Sequence, residues 1–133
     1  MTIKLLAVDF GLTKVGLAYY DGFLVEPIGV LRGKNEGQLL KKLIDLAGQL
    51  GVQKIIFGLP ESGPFLVAAQ AFAAKLKAAT DLVVEESREV LTTKEALARM
   101  KEAGVKRRQR VAKEDAVAAA ILLEDYLAGL KNV

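Results

Sequence analysis

Two carboxylates in this sequence have positions that suit catalysis or metal binding. Asp9 ends the apolar run LLAV and precedes Gly11, and Asp115 precedes an alanine-rich run. A buried carboxylate is unfavourable unless a cation or hydrogen bonds compensate its charge. Each residue also has a structural interpretation, Asp9 as a turn former and Asp115 as an acid favoured in the first turn of a helix.

A third carboxylate lies in the segment EESRE, at the end of the last predicted strand or just after it. Glu85, Glu86 and Glu89 are the candidates, and sequence spacing alone does not choose among them. Three carboxylates at one sheet edge would repel each other unless a hard divalent cation, chiefly Mg²⁺ or Mn²⁺, lay between them. Two such ions about 4 Å apart can activate a water and stabilise the leaving oxygen of a phosphodiester.

The composition restricts the chemistry further. The chain has no histidine and no cysteine, so imidazole and thiolate catalysis or ligation is excluded. At 133 residues, with 52% hydrophobic and 26% charged residues, we expect a single domain over 1–133. The sequence shows no membrane-spanning run and no signal peptide, which predicts a cytoplasmic protein without a membrane partner.

The net charge of +3 is unevenly distributed, because cations concentrate in the segment KRRQRVAK. Such a cluster suits salt-dependent contacts to a phosphate backbone, although a solvated connector has the same composition. We therefore predict nucleic acid contacts close to Asp115. The residues concerned are Lys106, Arg107, Arg108, Arg110 and Lys113.

The hydrophobic periodicity predicts an α/β fold with a mixed five-stranded sheet, an antiparallel meander continued by parallel strands. Pro27 predicts an edge position for the third strand, and Asp21-Gly22 predicts the turn before it. The predicted strands are 3–9, 14–20, 23–31, 54–60 (stopped by Gly58 and Pro60) and 81–86. The predicted helices are 37–50, 64–79, 92–104 and 111–130, with a basic link over 105–110.

Four segments together resemble the YqgF family of RNase H-like proteins, described as Holliday junction resolvases and as nucleases for the ends of pre-16S rRNA. The segments are AVDFGLTKVGLA, IIFGLP, EVLTTKEALARMKEAG and KRRQRVAKEDAVAAAILLEDYL, and the resemblance extends from about Ile3 to Leu127. It implies an RNase H-like fold and a nuclease that uses Mg²⁺ or Mn²⁺. The implied partner is an rRNA precursor or branched DNA, bound by a monomer or homodimer.

The resemblance also selects the site residues. The family's first acid matches Asp9, its helix-borne acid matches Asp115, and its middle acid matches Glu89 in preference to Glu86. These three residues are the implied catalytic and metal-binding set. The family's Asp-Glu-Arg segment here reads Arg88-Glu89-Val90.

Two further departures concern the loops. The family usually has two basic residues after Asp-x-Gly, whereas this chain has only Lys14, which we count among the nucleic acid contacts; the loop after Pro60 is also shorter. These departures keep open a non-catalytic nucleic-acid-binding module on the same fold. A phosphate-binding relative of the sugar-kinase and actin fold, which shares Asp-x-Gly and a hydroxyl residue, is a third hypothesis.

Overall fold

The computed structural model describes residues 3–11, 14–60, 62–88 and 107–131, without the side chains of residues 88, 107–115 and 131. Within these ranges five strands form one sheet in the order β3-β2-β1-β4-β5, with helices on both faces. The elements are β1 Leu5–Phe10, β2 Lys14–Tyr20, β3 Val25–Arg32, α1 Glu36–Leu50, β4 Lys54–Leu59, α2 Pro64–Ala79, β5 Val83–Arg88 and α3 Arg107–Lys131.

The sheet is mixed, as predicted. β1 pairs antiparallel with β2, and β2 pairs antiparallel with β3, whereas β1, β4 and β5 are parallel neighbours. β1, β3, β4 and β5 therefore all end at one edge of the sheet, which we call the carboxyl edge; the opposite edge is the amino edge. β3, which contains Pro27, is an edge strand, and this confirms the prediction from the proline.

The turn between β2 and β3 forms at the predicted Asp21-Gly22. The carboxylate of Asp21 accepts hydrogen bonds from the backbone N–H groups of Phe23, at 2.8 Å, and Leu24, at 2.9 Å. Because the bond from Leu24 and then that from Phe23 favour the charged form, the pKa of Asp21 lies below its ordinary value.

Side chains alternate between two cores because successive strand residues point to opposite faces. Leu6 and Val8 of β1 pack in the core beneath α1 and α2, where Phe10, Phe57 and Phe72 make ring contacts. On the other face, which we call the α3 face, strand residues meet the alanines and leucines of α3. The residues of this second core are Leu5, Ala7, Ala18, Ile56, Ala119, Ala120, Leu122 and Leu123.

Several predicted strand boundaries are wrong by one or two residues: β1 is Leu5–Phe10 instead of 3–9, β3 is Val25–Arg32 instead of 23–31, and β5 is Val83–Arg88 instead of 81–86. β5 begins at Val83 instead of residue 81, because the hydroxyl of Thr80 accepts a hydrogen bond from the N–H of Leu82, at 3.2 Å, and holds a bend there. Gly58 does not stop β4, since the strand continues through it to Leu59.

The predicted basic link over 105–110 is also wrong where the structure describes it. α3 already begins at Arg107 instead of residue 111, because arginine, glutamine and lysine are good helix formers and nothing in KRRQRVAK interrupts a helix. Asp115 is consequently beyond the first helical turn, so the favourable interaction with the helix terminus does not explain its position. The predicted helix over 92–104 lies outside the described residues.

Candidate active site

Asp9 lies at the carboxyl edge with a glycine beside it on each neighbouring strand. It is the fifth residue of β1 and pairs with Gly16 of β2 and Gly58 of β4. Strand alternation from Leu5 and Ala7 places Asp9, which is half-buried, on the α3 face. Because directly paired residues share a face, the two positions paired with Asp9 place no side chain next to the carboxylate.

Gly11, in contrast, serves the turn. Its backbone N–H donates to the carbonyl oxygen of Lys14, at 2.8 Å, and closes the connection between β1 and β2. A Cβ atom at this position would come within 2.7 Å of the same carbonyl oxygen, so the approach requires glycine. Asp9 itself is paired on both sides within the sheet, so the interpretation of Asp9 as a turn residue is replaced by that of a strand-end carboxylate.

α3 crosses the sheet in the direction opposite to β1. Near its C-terminus, the hydroxyl of Tyr126 accepts a hydrogen bond from the amine of Lys54, the first residue of β4, at 3.0 Å. Lys54 pairs with Leu5 at the start of β1, so this contact lies at the amino edge. The N-terminal part of α3, which includes position 115, therefore lies toward the carboxyl edge.

Helix and strand dimensions bring position 115 close to the level of Asp9. From Tyr126 back to position 115 the helix axis rises about 16 Å, and from Leu5 to Asp9 the strand extends about 13 Å. Helical periodicity places position 115 on the same side of α3 as Ala119, one turn later, which is fully buried against the sheet. The buried alanines allow this close approach.

Two of the three acidic candidates of the EESRE segment are in β5, and they lie on opposite faces of the sheet. Glu86 pairs in register with Phe57, on the face covered by α1 and α2, and forms an ion pair of 2.9 Å with Lys77 of α2. Glu86 is therefore on the opposite face from Asp9. Glu85 is on the α3 face, but it lies closer to the amino edge and contacts Lys54 at 3.5 Å. Glu89 is the residue after β5 and lies outside the described residues.

Of the predicted nucleic acid contacts, Lys14 is the first residue of β2 and is half-buried at the carboxyl edge. The backbone of the basic segment forms the first two turns of α3, and Lys106 lies outside the described residues. The helical residues are Arg107, Arg108, Arg110 and Lys113.

Lys54 joins three elements at the amino edge. The hydrogen bond to Tyr126 raises the pKa of Lys54 above its ordinary value, with burial opposing this and Glu85 adding to it. The amine also lies 5.7 Å from the centre of the Tyr126 ring. These contacts fix the end of α3 that is remote from Asp9.

Comparison with known protein families shows to which family the chain belongs. The model of the family RuvX, described as "Holliday junction resolvase", matches residues 3–129. The chain belongs to this family. It is 34% identical over 135 residues to a protein of Rickettsia typhi named "Putative pre-16S rRNA nuclease", covering 96% of this chain and 86% of the relative. A protein of the same name from Moorella thermoacetica is 33% identical, with 94% of each chain covered.

Solved structures give the fold. The fowlpox virus Holliday junction resolvase covers 96% of this chain and 99% of its own, with a TM-score of 0.62 at 14% identity. RuvC of T. thermophilus in complex with Holliday junction substrate gives a TM-score of 0.54 at 15% identity, with 95% of each chain covered. The predicted YqgF-type family and RNase H-like fold are thereby confirmed, and the family is one of nucleases.

Three features of the site were missed by sequence reasoning. Gly16 and Gly58 flank Asp9, and Ser87 pairs with Gly58 one strand further out, on the same face. These residues come from separate strands, and only the register between the strands brings them together. The glycines inside two otherwise apolar strands were the available signal, since a glycine in a strand often marks a close approach.

Among residues whose side chains are described, no group of three carboxylates could hold a metal ion; Glu89 and the side chain of Asp115 are outside that set. No helix in the described ranges is long and apolar enough to cross a membrane.

Proposed function

We propose that this chain is a metal-dependent nuclease that hydrolyses phosphodiester bonds in structured nucleic acid, with Asp9, Glu89 and Asp115 as its metal ligands and catalytic residues. The observation that carries the proposal is the placement of Asp9 between Gly16 and Gly58 at the carboxyl edge, facing a helix whose N-terminal part runs to that edge. Open α/β sheets bind ligands at the carboxyl ends of their strands.

Strand alternation favours Glu89 as the third acid. Ser87 and Glu85 of β5 are on the α3 face, and Glu89 is the next residue of the same parity. Glu86 has the opposite parity and is paired with Lys77. Glu89 is therefore the acid of the EESRE segment that suits a site shared with Asp9.

The donor chemistry fits a hard divalent cation. The proposed ligands are all carboxylates, and oxygen ligands select Mg²⁺ or Mn²⁺, which we propose as the cofactors, over softer metals. When bound, such an ion supplies a water nucleophile and stabilises charge on the phosphate. Asp9 contributes a half-buried carboxylate, and the flanking glycines leave the phosphate room to approach it.

The basic residues of the carboxyl edge would orient the substrate. Lys14 lies at this edge, and the first two turns of α3 lie toward it. Contacts from lysine and arginine to phosphates position a nucleic acid without reading its sequence. We propose that these cations bring the scissile phosphate to the carboxylates.

The relatives suggest two substrates. Proteins that are about one-third identical carry names that refer to pre-16S rRNA, and a structure of the same fold holds a Holliday junction. We propose end processing of pre-16S rRNA or resolution of Holliday junctions as the reaction. A single domain over 1–133, a monomer or homodimer and a cytoplasmic location remain predictions.

The test is cleavage of a pre-16S rRNA end fragment and of a four-way DNA junction, each with Mg²⁺ or Mn²⁺. We expect cleavage of at least one substrate, abolished by a chelator. Asp9→Asn should lower the rate by about 10²-fold or more, because metal catalysis contributes several kcal/mol.

Glu86→Gln is the matched control, because it removes the same charge from the opposite face of the sheet. Its cleavage rate should remain that of the unchanged protein. Equal activity of Asp9→Asn and the unchanged protein would contradict the proposal. Salt-sensitive binding that persists in Asp9→Asn, with no cleavage by any variant, would establish the non-catalytic binding module instead.

A further inference from the structure

Two cations lie opposite each other at the carboxyl edge. Lys14, the first residue of β2, pairs directly with Arg32, the last residue of β3. Directly opposed residues have Cβ atoms about 5 Å apart, and like charges in such a pair are destabilising. Lys14 pairs two residues before Gly16, so it and Arg32 are on the same face of the sheet as Asp9.

Two more lysines lie close to this pair. The amine of Lys42, on α1, donates a hydrogen bond to the backbone carbonyl oxygen of Arg32, at 2.9 Å. Lys34 follows Arg32 by two residues, in the connection to α1. Arg32, Lys34 and Lys42 are all exposed. Four cations thus lie around one corner of the carboxyl edge, with Lys14 and Arg32 on the α3 face and Lys42 on the helix that covers the opposite face.

Within the described ranges, no carboxylate lies within salt-bridge distance of Arg32, Lys34 or Lys42. Elsewhere the described lysines on β4 and α2 do have acidic partners: Lys54 with Glu85, Lys75 with Glu36 and Lys77 with Glu86. The fold therefore places Arg32, Lys34 and Lys42 close together without a carboxylate partner among the described side chains. An anion with several regularly spaced charges would relieve that repulsion.

The spacing suits a nucleic acid strand. β1 and β3 are two strand spacings apart, about 10 Å, and one nucleic acid strand advances about 3.4 Å per phosphate along its helix axis. A strand with one phosphate at Asp9 could therefore continue across Lys14 to Arg32 within about three nucleotides.

We propose that Arg32, Lys34 and Lys42, together with Lys14, form a second phosphate-binding surface that holds the sugar–phosphate backbone a few nucleotides from the cleaved bond. This inference rests on the proposed function and adds a contact surface beyond the basic start of α3. It places bound nucleic acid across β2 and β3 toward the beginning of α1. Because the contacts are to phosphates, the surface should hold RNA and DNA alike.

The first experiment measures equilibrium binding of an RNA hairpin and of a DNA junction at several salt concentrations, in a chelator to prevent cleavage. Each lost phosphate contact should reduce the slope of log affinity against log salt by about 1. We expect Arg32→Gln/Lys34→Gln to lower the slope by about 2 and to weaken binding to both nucleic acids. Thermal unfolding verifies that each variant is folded.

The matched control is Lys4→Gln/Lys77→Gln, which removes the same charge from an exposed residue preceding β1, at the amino edge, and from α2. This control should retain the slope of the unchanged protein. Equal slopes for the two double variants would overturn the inference, as would an unchanged protein that binds neither nucleic acid.

A second experiment uses the absence of cysteine from the chain. Lys34→Cys and Lys4→Cys each create one attachment point for a photo-crosslinker. Crosslinks from position 34 to nucleotides near the cleaved bond, with none from position 4, would support the surface, and the reverse pattern would overturn it. Cleavage by the unchanged protein is scored separately, so a chain that binds through this surface without cleaving would refute only the proposed nuclease activity.

Discussion

At the scale of single residues, the Asp-x-Gly sequence combines two separate roles. Asp9 is a paired strand residue facing α3, whereas Gly11 permits the close backbone approach that turns the chain into β2. The glycine would be required for folding even if the aspartate had no chemistry. The two residues should therefore be separable by mutation.

We predict that Gly11→Ala lowers the free energy of unfolding by about 1–3 kcal/mol, because the new Cβ would lie 2.7 Å from the Lys14 carbonyl oxygen. Chemical denaturation monitored by circular dichroism measures the change. Gly48→Ala is the control: this helical glycine has nothing within 4 Å of an added Cβ, so alanine should stabilise the protein by about 0.5–1 kcal/mol. Equal effects at both positions would contradict this account of Gly11.

Sequence reasoning found Asp9 and Gly11 because they are neighbours in the chain. It did not find that Gly58 lies beside Asp9, because that relationship depends on the register between β1 and β4, which are separated in the chain by β2, β3 and α1. The choice between Glu86 and Glu89 had the same difficulty. Spacing left both open, and the face occupied by Glu86 became visible only through its register with Phe57 and its ion pair with Lys77.

At the scale of elements, α3 is held at one end and directed to the site at the other. Lys54 of β4 contacts Tyr126 of α3 and Glu85 of β5, so three elements meet at one partly buried amine. The contact lies at the amino edge, away from Asp9. Its loss should therefore affect stability more than chemistry.

We predict that Lys54→Met lowers the free energy of unfolding by about 1–2 kcal/mol near neutral pH, since a charge-assisted hydrogen bond is lost. The pKa of Lys54 is raised above its ordinary 10.5 in the folded protein. The contribution of Lys54 is therefore complete below about pH 10.5 and declines as pH rises through the folded pKa. The stability difference from the unchanged protein should be constant from pH 7 to 10 and then shrink.

Urea unfolding at each pH measures this difference. Lys77→Met is the control, because it removes an exposed lysine whose ion pair with Glu86 contributes about 0–1 kcal/mol. A difference for Lys54→Met that grows above pH 10.5 would contradict the assigned role.

The order and type of the described elements followed from hydrophobic periodicity, but several boundaries did not. The basic segment was interpreted as a link because its charge was conspicuous, whereas its residues favour a helix and α3 begins at Arg107. β5 starts later than predicted because the hydroxyl of Thr80 accepts a hydrogen bond from the backbone N–H of Leu82. Helix propensity and local side-chain hydrogen bonds therefore determine boundaries that the spacing of apolar residues does not.

At the scale of the whole molecule, the fold separates stabilising contacts from proposed chemistry. The amino edge carries the Lys54 contacts, whereas Asp9, Lys14 and Arg32 all lie at the carboxyl edge. One edge therefore brings together the carboxylate that we propose as a metal ligand and the cations that we propose as phosphate contacts. Both ligands should bind the folded chain in preference to the unfolded chain.

A metal ion that binds only the folded protein must raise its melting temperature. At 100 times the dissociation constant the ion adds about 2.7 kcal/mol, and each kcal/mol shifts the melting temperature by about 3 °C or more in a domain of this size. We therefore predict that Mg²⁺ or Mn²⁺, relative to a chelator, raises the melting temperature by several degrees. Differential scanning calorimetry measures the shift without requiring a substrate.

The variants locate the ion. Asp9→Asn should abolish most of the shift, because it removes a charged oxygen ligand from the carboxyl edge. Glu86→Gln should retain it, because that carboxylate lies on the opposite face and is paired with Lys77. Equal shifts in both variants would place the ion away from Asp9, and the metal ligands of the nuclease would then have to be sought elsewhere on the chain.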